Sequence, residues 1–229
     1  MKFKAAALFS QNKPLKLIDI EHKEKLSKGQ VLVELYYSGI CGSQIGEIQG
    51  VKGKDKYLPH LLGHEGTGIV KKIGKRVKKV RVGNKVILHW KKTKGINSKT
   101  PSYKYNGKKI NSGWLTTFNR YAVVSENRIT KLPKNISPKR GILFGCSLTT
   151  AYGTLKRNGK ISNNDIILIV GAGNIGLAMI YICNLLGCKN ILVIDKNIKK
   201  LKLAKILGAS YAFKLKNLNI LHKEIIDFL

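Results

Sequence analysis

The chain has 229 residues, of which 43% are hydrophobic, and it carries a formal net charge of +31. This hydrophobic content allows a packed core and excludes a disordered or fibrous chain. So high a charge could attract nucleic acid or phosphorylated ligands. The basic residues are mostly lysines scattered along the whole chain, however, as on a solvated surface. We therefore expect no specific nucleic-acid partner.

The spacing of the cysteines and the length of the apolar runs indicate the cellular compartment of the protein. The four cysteines at positions 41, 146, 183 and 188 lack the spacing of a disulfide framework. The apolar run near the N-terminus is too short for a signal core. No segment approaches the roughly 18 apolar residues of a membrane span. These features predict a cytoplasmic protein with no membrane partner.

The first half of the chain has the pattern of short strands separated by Gly and polar turns, which favours a barrel or sandwich. A polar, Lys-rich stretch at 90–113 is expected to form a long surface loop. Ser137 precedes a proline and predicts a helix start, and a second helical stretch at 149–156 would link the two halves. The predicted strands are 30–37, 68–74, 84–88 and 121–124.

After residue 165 the pattern changes to alternating strands and helices. The continuous apolar run Ile166 to Val170 is typical of a parallel strand covered on both faces. The order βαβαβ predicts the first half of a doubly wound sheet, so the fold class is α/β with domains 1–150 and 151–229. The further elements predicted here are a helix at 174–186, a strand at 191–194, a helix at 198–207, a strand at 211–213 and an amphipathic segment at 218–228.

A glycine-rich segment joins the first strand of this region to its first helix. Gly171 would allow a tight turn, Gly173 would let the backbone approach a pyrophosphate, and Gly176 would let helix and strand pack closely. Asp195 ends the next strand, where a carboxylate can bind a ribose diol and repel a 2′-phosphate, which favours NAD over NADP. An ordinary Gly-rich turn is the alternative. The predicted cofactor contacts here are Gly171, Gly173, Asn174, Ile175, Gly176 and Asp195.

Three residues spread over the first 146 positions have the chemistry of an open zinc site. Cys41, His64 and Cys146 offer two thiolates and an imidazole, which would leave one coordination position free. Glu65 could reach the metal or orient its ligands. Each residue alone has a structural alternative: a cysteine at a strand end is often core, and a histidine near a turn is often merely exposed.

The motifs together resemble the zinc-dependent alcohol dehydrogenases of the medium-chain dehydrogenase/reductase superfamily. They occur in family order and cover nearly the whole chain. They are Ser38-Gly39-Ile40-Cys41-Gly42-Ser43, Pro59-His60-Leu61-Leu62-Gly63-His64-Glu65-Gly66, Thr116-Thr117-Phe118, Tyr121-Ala122-Val123-Val124, Gly145-Cys146 and the glycine loop 171–176.

The resemblance implies a GroES-like β-barrel domain that binds zinc, followed by a partial Rossmann domain that binds NAD. It implies Cys41, His64 and Cys146 as zinc ligands with Glu65 beside them, Ser43 as the first member of a proton relay, and Thr150 beside the nicotinamide. The reaction would be reversible hydride transfer between an alcohol, polyol or sugar-type substrate and NAD. Full-length members are homo-oligomers.

Three departures from the family pattern modify these expectations. The loop after Trp90 lacks the family's four clustered cysteines, which predicts one catalytic zinc and no structural zinc. Gly46 occupies the position that often carries the relay histidine. The chain ends after the third predicted Rossmann strand, as if truncated at the C-terminus. The alternative interpretation is therefore a catalytically impaired remnant that binds zinc and nucleotide.

Overall fold

The computed structural model describes residues 1–23, 25–215 and 226. The chain divides into two compact units, Met1–Cys146 and Ser147–Leu229. The sequence predicts a domain boundary at residue 150. Within the described ranges, no helix has both the length and the apolar character to cross a membrane. Apart from Ile226, the amphipathic segment predicted at 218–228 lies outside these ranges.

The first unit consists mainly of antiparallel strands in two five-stranded sheets. The elements are β1 Lys2–Leu8, β2 Lys16–Glu21, β3 Gln30–Ser38, α1 Gly42–Ile48, β4 His60–Leu61, β5 Glu65–Ile73, β6 Lys85–His89, β7 Tyr103–Tyr105, β8 Lys108–Ile110, β9 Tyr121–Ser125, β10 Ile129–Lys131 and α2 Pro138–Gly141, with 3-10 turns at Glu126–Arg128 and Ile142–Gly145. One sheet has the strand order β4-β1-β2-β7-β8, and the other has the order β10-β6-β5-β3-β9.

The pairing of β5 with its two neighbours fixes one end of the second sheet. Gly66 is opposite Ser38 of β3, and Glu65 is opposite His89 of β6. The inward side chains of these strands, such as Val33 and Val86, are fully buried. Because core packing holds the strands in this register, the residues at the start of β5 have a defined position.

The stretch 90–113, predicted as a long surface loop, contains a β-hairpin. Strands β7 and β8 pair around Asn106 and Gly107, which have φ values of 48° and 75°. Asn-Gly is a strong hairpin signal because both residues tolerate positive φ. Tyr103 is completely buried, and its hydroxyl accepts the backbone N–H of Val123 at 2.9 Å. The loop prediction was therefore wrong at 103–110, where the hairpin adds two strands to the first sheet.

The second unit has the predicted βαβαβ order. Its three parallel strands follow the order β11-β12-β13. The core contains residues from the strands and from both longer helices, including Ile180 and Leu201. The elements are α3 Ser147–Tyr152, a π-helical turn Gly153–Asn158, β11 Ile166–Val170, α4 Asn174–Leu185, β12 Asn190–Asp195, α5 Ile198–Ile206 and β13 Tyr211–Lys214.

Strand β11 departs from its prediction of burial on both faces. Ile167 and Ile169 are buried, whereas Ile166, Leu168 and Val170 are 53%, 47% and 77% exposed. The buried pair packs in the core of this unit, while the other face has little cover among the described residues. An apolar run thus located the strand correctly but did not predict how many of its faces are covered.

Candidate metal and cofactor sites

Four side chains distant in sequence converge in the first unit. One ligand atom from each of Cys41, His64, Glu65 and Cys146 lies within 4.8 Å of the other three. Glu65 and Cys146 are buried, and the other two residues are half-buried. The predicted zinc ligands and the predicted neighbouring acid are therefore grouped by the fold.

Local backbone geometry places Cys41 and His64. Cys41 is the N-cap of α1, in an extended conformation with φ −96° and ψ 152°. Gly63, just before His64, has φ +90°, and a Cβ there would lie 2.4 Å from Thr117 Oγ1. Only glycine fits both that conformation and that space. The glycine before His64 thus allows the turn that brings the imidazole to the cluster.

Glycines on neighbouring segments make room for Glu65, and one of them directly precedes Cys146. The helix predicted at Ser137 is α2; its N-cap Ser137 accepts the N–H of Arg140 at 3.3 Å, and a 3-10 turn then leads to Cys146. A Cβ on Gly145 would lie 2.8 Å from Cβ of Glu65, and one on Gly39 would lie 2.6 Å from its carboxyl carbon. Burial raises the pKa of Glu65. The two glycines make room for a buried acid close to the cysteines and the imidazole.

The imidazole of His64 has the free nitrogen that a metal ligand needs. Its Nε2 atom is buried and has no hydrogen-bond partner among the residues that the structure describes. An unpaired buried polar atom is costly. Burial also lowers the pKa of His64, which favours the neutral ring. Two cysteine sulfurs, a neutral imidazole and a carboxylate form a donor set that fits zinc.

Gln44 connects two of these residues, and the sequence interpretation missed it. The side chain is buried; its Oε1 accepts the N–H of Cys41 at 3.1 Å, and its amide nitrogen contacts Nδ1 of His64. Metal binding through Nε2 leaves the ring proton on Nδ1, which then requires an acceptor. The Gln44 amide has a single oxygen, whereas two donors would then need one: the backbone N–H of Cys41 and the Nδ1–H of His64. Its position three residues after Cys41, one turn into α1, was the available signal.

Substitutions of Gln44 should change zinc affinity in opposite directions. Gln44→Glu offers two acceptor oxygens, one for each N–H, and we expect tighter zinc binding. Gln44→Ala removes the support for His64 and should weaken binding by about 10–100-fold. Competition with a chelator of known affinity measures both effects. Gln49→Glu adds the same charge at the exposed end of α1. Equal effects of the two Glu variants would contradict a role for the hydrogen bonds.

The predicted relay residue Ser43 lies on α1 and is exposed, and Gly46 follows one turn later. Thr150 is half-buried on α3 of the second unit, where its carbonyl accepts the hydroxyl of Thr154 at 3.0 Å. Ser43 therefore lies in the same unit as the cluster of Cys41, His64, Glu65 and Cys146, and Thr150 lies in the same unit as the glycine loop.

The glycine loop has a conformation suited to a phosphate-binding turn. Gly171 has φ +98°, and Gly173 is the N-cap of α4. No heavy atom of a described residue beyond its chain neighbours lies within 4 Å of a Cβ built on Gly173. A Cβ on Gly176 would lie 1.9 Å from the carbonyl oxygen of Gly171. Asn174 and Ile175 form the first turn of α4. The loop thus leaves open space before a helix N-terminus with free backbone N–H groups.

Asp195 at the end of β12 is bonded to this loop. Its Oδ2 accepts the N–H of Ala172 at 2.7 Å, and its Oδ1 accepts the N–H of Asn197 at 2.7 Å. The hydrogen bond from Asn197, followed by that from Ala172, lowers the pKa of Asp195 and keeps it ionised. The sequence predicted a ribose-binding acid; the structure adds that this acid holds the glycine loop in place.

Comparisons with known proteins agree with this architecture. Residues 27–134 match the alcohol dehydrogenase GroES-like domain. S-(hydroxymethyl)glutathione dehydrogenases of Escherichia coli and Synechocystis are 29% identical over 92% of this chain, which spans 63% of their length. An alcohol dehydrogenase of Thermotoga maritima superposes with a TM-score of 0.78 at 26% identity over 100% of this chain and 68% of its own. An alcohol dehydrogenase zinc-binding domain protein of Burkholderia ambifaria superposes with a TM-score of 0.87 at 21% identity. This match covers 97% of this chain and 66% of the Burkholderia protein.

The fold is therefore that of a GroES-like domain followed by part of a Rossmann-type domain, as the sequence predicted. Residues 27–134 are similar to the alcohol dehydrogenase GroES-like domain, and most of the chain is similar to proteins named as dehydrogenases.

Proposed function

We propose that this protein is a zinc-dependent oxidoreductase that transfers hydride between an alcohol and NAD(H). The observation that carries the proposal is the convergence of Cys41, His64, Glu65 and Cys146 within 4.8 Å. The buried Nε2 of His64 has no hydrogen-bond partner in the described part of the chain. The curated relatives are named as dehydrogenases, which supports the same chemistry.

The residues of the first unit take three roles. Cys41, His64 and Cys146 would hold one catalytic zinc, with the carboxylate of Glu65 beside them. Zinc in such a site supplies Lewis acidity toward an alcohol or carbonyl oxygen. Ser43 is the first group of the proton path. With Gly46 in place of a histidine, the proton leaves Ser43 through water or another base.

The residues of the second unit position the cofactor. The backbone of Gly171, Gly173 and the first turn of α4 would hold the pyrophosphate, and Thr150 would lie beside the nicotinamide. NAD supplies the hydride acceptor. Asp195 is ionised and accepts the ribose hydroxyls, and its charge opposes a 2′-phosphate, so NAD is preferred over NADP.

The substrate class is a polar alcohol of the polyol or sugar type. A cavity of about 590 Å³ in the first unit includes His64 in its wall. Its lining combines charged and amide groups, among them Glu47, Lys109 and Asn111, with the aromatic rings of Tyr57 and Trp114. Aromatic faces and hydrogen-bonding groups together suit a polyhydroxylated ligand better than a plain hydrocarbon chain.

The test is an assay of the 229-residue chain, loaded with zinc, against a panel of simple alcohols and polyols with NAD as acceptor. We expect NADH to form, fastest with polyols, and more slowly with NADP as acceptor. If a chain that binds both zinc and NADH forms no reduced cofactor with any substrate, the proposal is wrong.

A further inference from the structure

A second cluster of potential metal ligands lies in the first unit. It consists of Glu47 on α1, Asp55 in the following loop and His60 at the start of β4, and their ligand atoms lie within 4.8 Å of one another. It shares no residue with the group around Cys146. His60 is 6% exposed, while Glu47 is more open. Both His60 and Glu47 line the cavity of about 590 Å³.

The contacts of His60 define where its proton lies. Its Nδ1 is 3.0 Å from the carbonyl oxygen of Leu61, which can only accept, so Nδ1 carries the hydrogen. Its Nε2 is 2.8 Å from Oδ2 of Asp55 and 3.8 Å from Oε1 of Glu47. Ionised carboxylates also only accept. This nearly buried nitrogen therefore faces acceptors alone, and a positive charge is needed between them: a second ring proton or a metal ion.

We propose that the cation is a divalent first-row metal ion, bound by Nε2 of His60 and the carboxylates of Asp55 and Glu47. A neutral imidazole with two carboxylates carries a formal charge of −2, which a divalent ion cancels, whereas a proton leaves −1. The bond from Nδ1 to a backbone carbonyl is the usual support of a metal-binding histidine. Nitrogen and oxygen donors without sulfur suit zinc, manganese or iron(II).

Access and position suit such an ion. The cavity gives water a route to the remaining coordination positions. Asp55 keeps its other oxygen on the N–H of Tyr57 at 2.8 Å, which fixes the loop. The ion would tie the helix that begins after Cys41 to the strand that leads to His64. Its role is to brace two segments that carry ligands of the catalytic metal, and it adds a site of different chemistry to the single zinc expected from the sequence.

The test is the stoichiometry of Zn²⁺ binding to the metal-free chain, measured by calorimetry and by metal analysis after dialysis. We expect two equivalents for the unmodified chain and one for Asp55→Asn. This variant keeps the oxygen that holds Tyr57 and turns an amide N–H toward Nε2, so the fold has a replacement hydrogen bond. Glu47→Gln should weaken the same equivalent by at least tenfold. Cys146→Ser should also leave one equivalent, and Asp55→Asn combined with it should leave none.

Asp19→Asn is the matched control. Asp19 is an exposed carboxylate paired with Lys4 at 2.6 Å, and its loss should leave two equivalents. A single equivalent in the unmodified chain, retained in Asp55→Asn, would overturn the proposal. Two equivalents that both survive Asp55→Asn would place the second ion elsewhere and overturn it equally.

Discussion

Replacing Cys146 with Ser should remove one zinc equivalent and reduce turnover to below about 1%. A serine hydroxyl stays protonated near neutral pH and cannot replace a thiolate as a zinc ligand. Even loss of a group that only supports a ligand costs about 10–100-fold in metal affinity, so loss of a direct ligand should cost at least a hundredfold. Zinc affinity by chelator competition and NADH formation with a polyol measure the two effects.

Cys188→Ser is the matched control for this variant. Cys188 is 6% exposed and Cys146 is 7% exposed, so both changes place a hydroxyl at a similarly buried position. Cys188 lies in the second unit, where its Sγ donates to the carbonyl of Ser162 at 3.5 Å, and serine can make the same bond. We expect this variant to keep its zinc and its activity. Unchanged zinc affinity in Cys146→Ser would show that Cys146 is not a ligand.

The strands of the fold were predictable wherever the local pattern was strong. β3 and β9 begin at the predicted residues, and β11 has its predicted bounds. In the second unit, the glycine at 187 follows the end of α4 with φ 78°, as a helix stop requires. These features depend on a few neighbouring residues, which is why the sequence alone indicates them.

The hairpin at 103–110 was missed for the opposite reason. Lysines dominate its composition, but burial of Tyr103 against Phe3 and the Asn106-Gly107 turn decide its structure. Composition described the exposed side chains, and packing with a strand about a hundred residues away determined the fold. An Asn-Gly turn signal is therefore better evidence for a hairpin than a polar composition is for a loop.

The closeness of Cys41, His64, Glu65 and Cys146 could be predicted from motifs, but the contacts around these residues could not. Cys41, His64 and Cys146 are typical zinc ligands in a known order, so resemblance was sufficient to select them. Gln44 is not part of a metal-ligand motif, because an amide is not a typical zinc ligand. It contacts His64 only because α1 places it there. The same holds for His60 and Asp55, whose pairing depends on the loop between them. Contacts that depend on tertiary structure cannot be read from the spacing of residues along the sequence.

Replacing Gly176 with Ala should unfold the second unit while leaving the metal cluster of the first intact. The added Cβ would lie 1.9 Å from the carbonyl oxygen of Gly171 and 3.3 Å from Ile169, and neither the turn nor the strand can withdraw. We expect a loss of about 3 kcal/mol or more in the free energy of unfolding of this unit. Both tryptophans, Trp90 and Trp114, lie in the first unit. Helical circular dichroism should therefore report the loss, while tryptophan fluorescence and zinc content stay near their normal values.

Gly173→Ala separates cofactor binding from folding in the same loop. Gly173 has φ −80°, which alanine adopts freely, and a Cβ there meets no atom within 4 Å. The variant should fold with unchanged stability, but its methyl group would occupy the space proposed for the pyrophosphate. We expect NADH to bind about tenfold more weakly, which corresponds to about 1.4 kcal/mol. Normal NADH affinity in a folded Gly173→Ala chain would mean that the pyrophosphate does not lie against this residue. The open space before α4 would then have no part in cofactor binding.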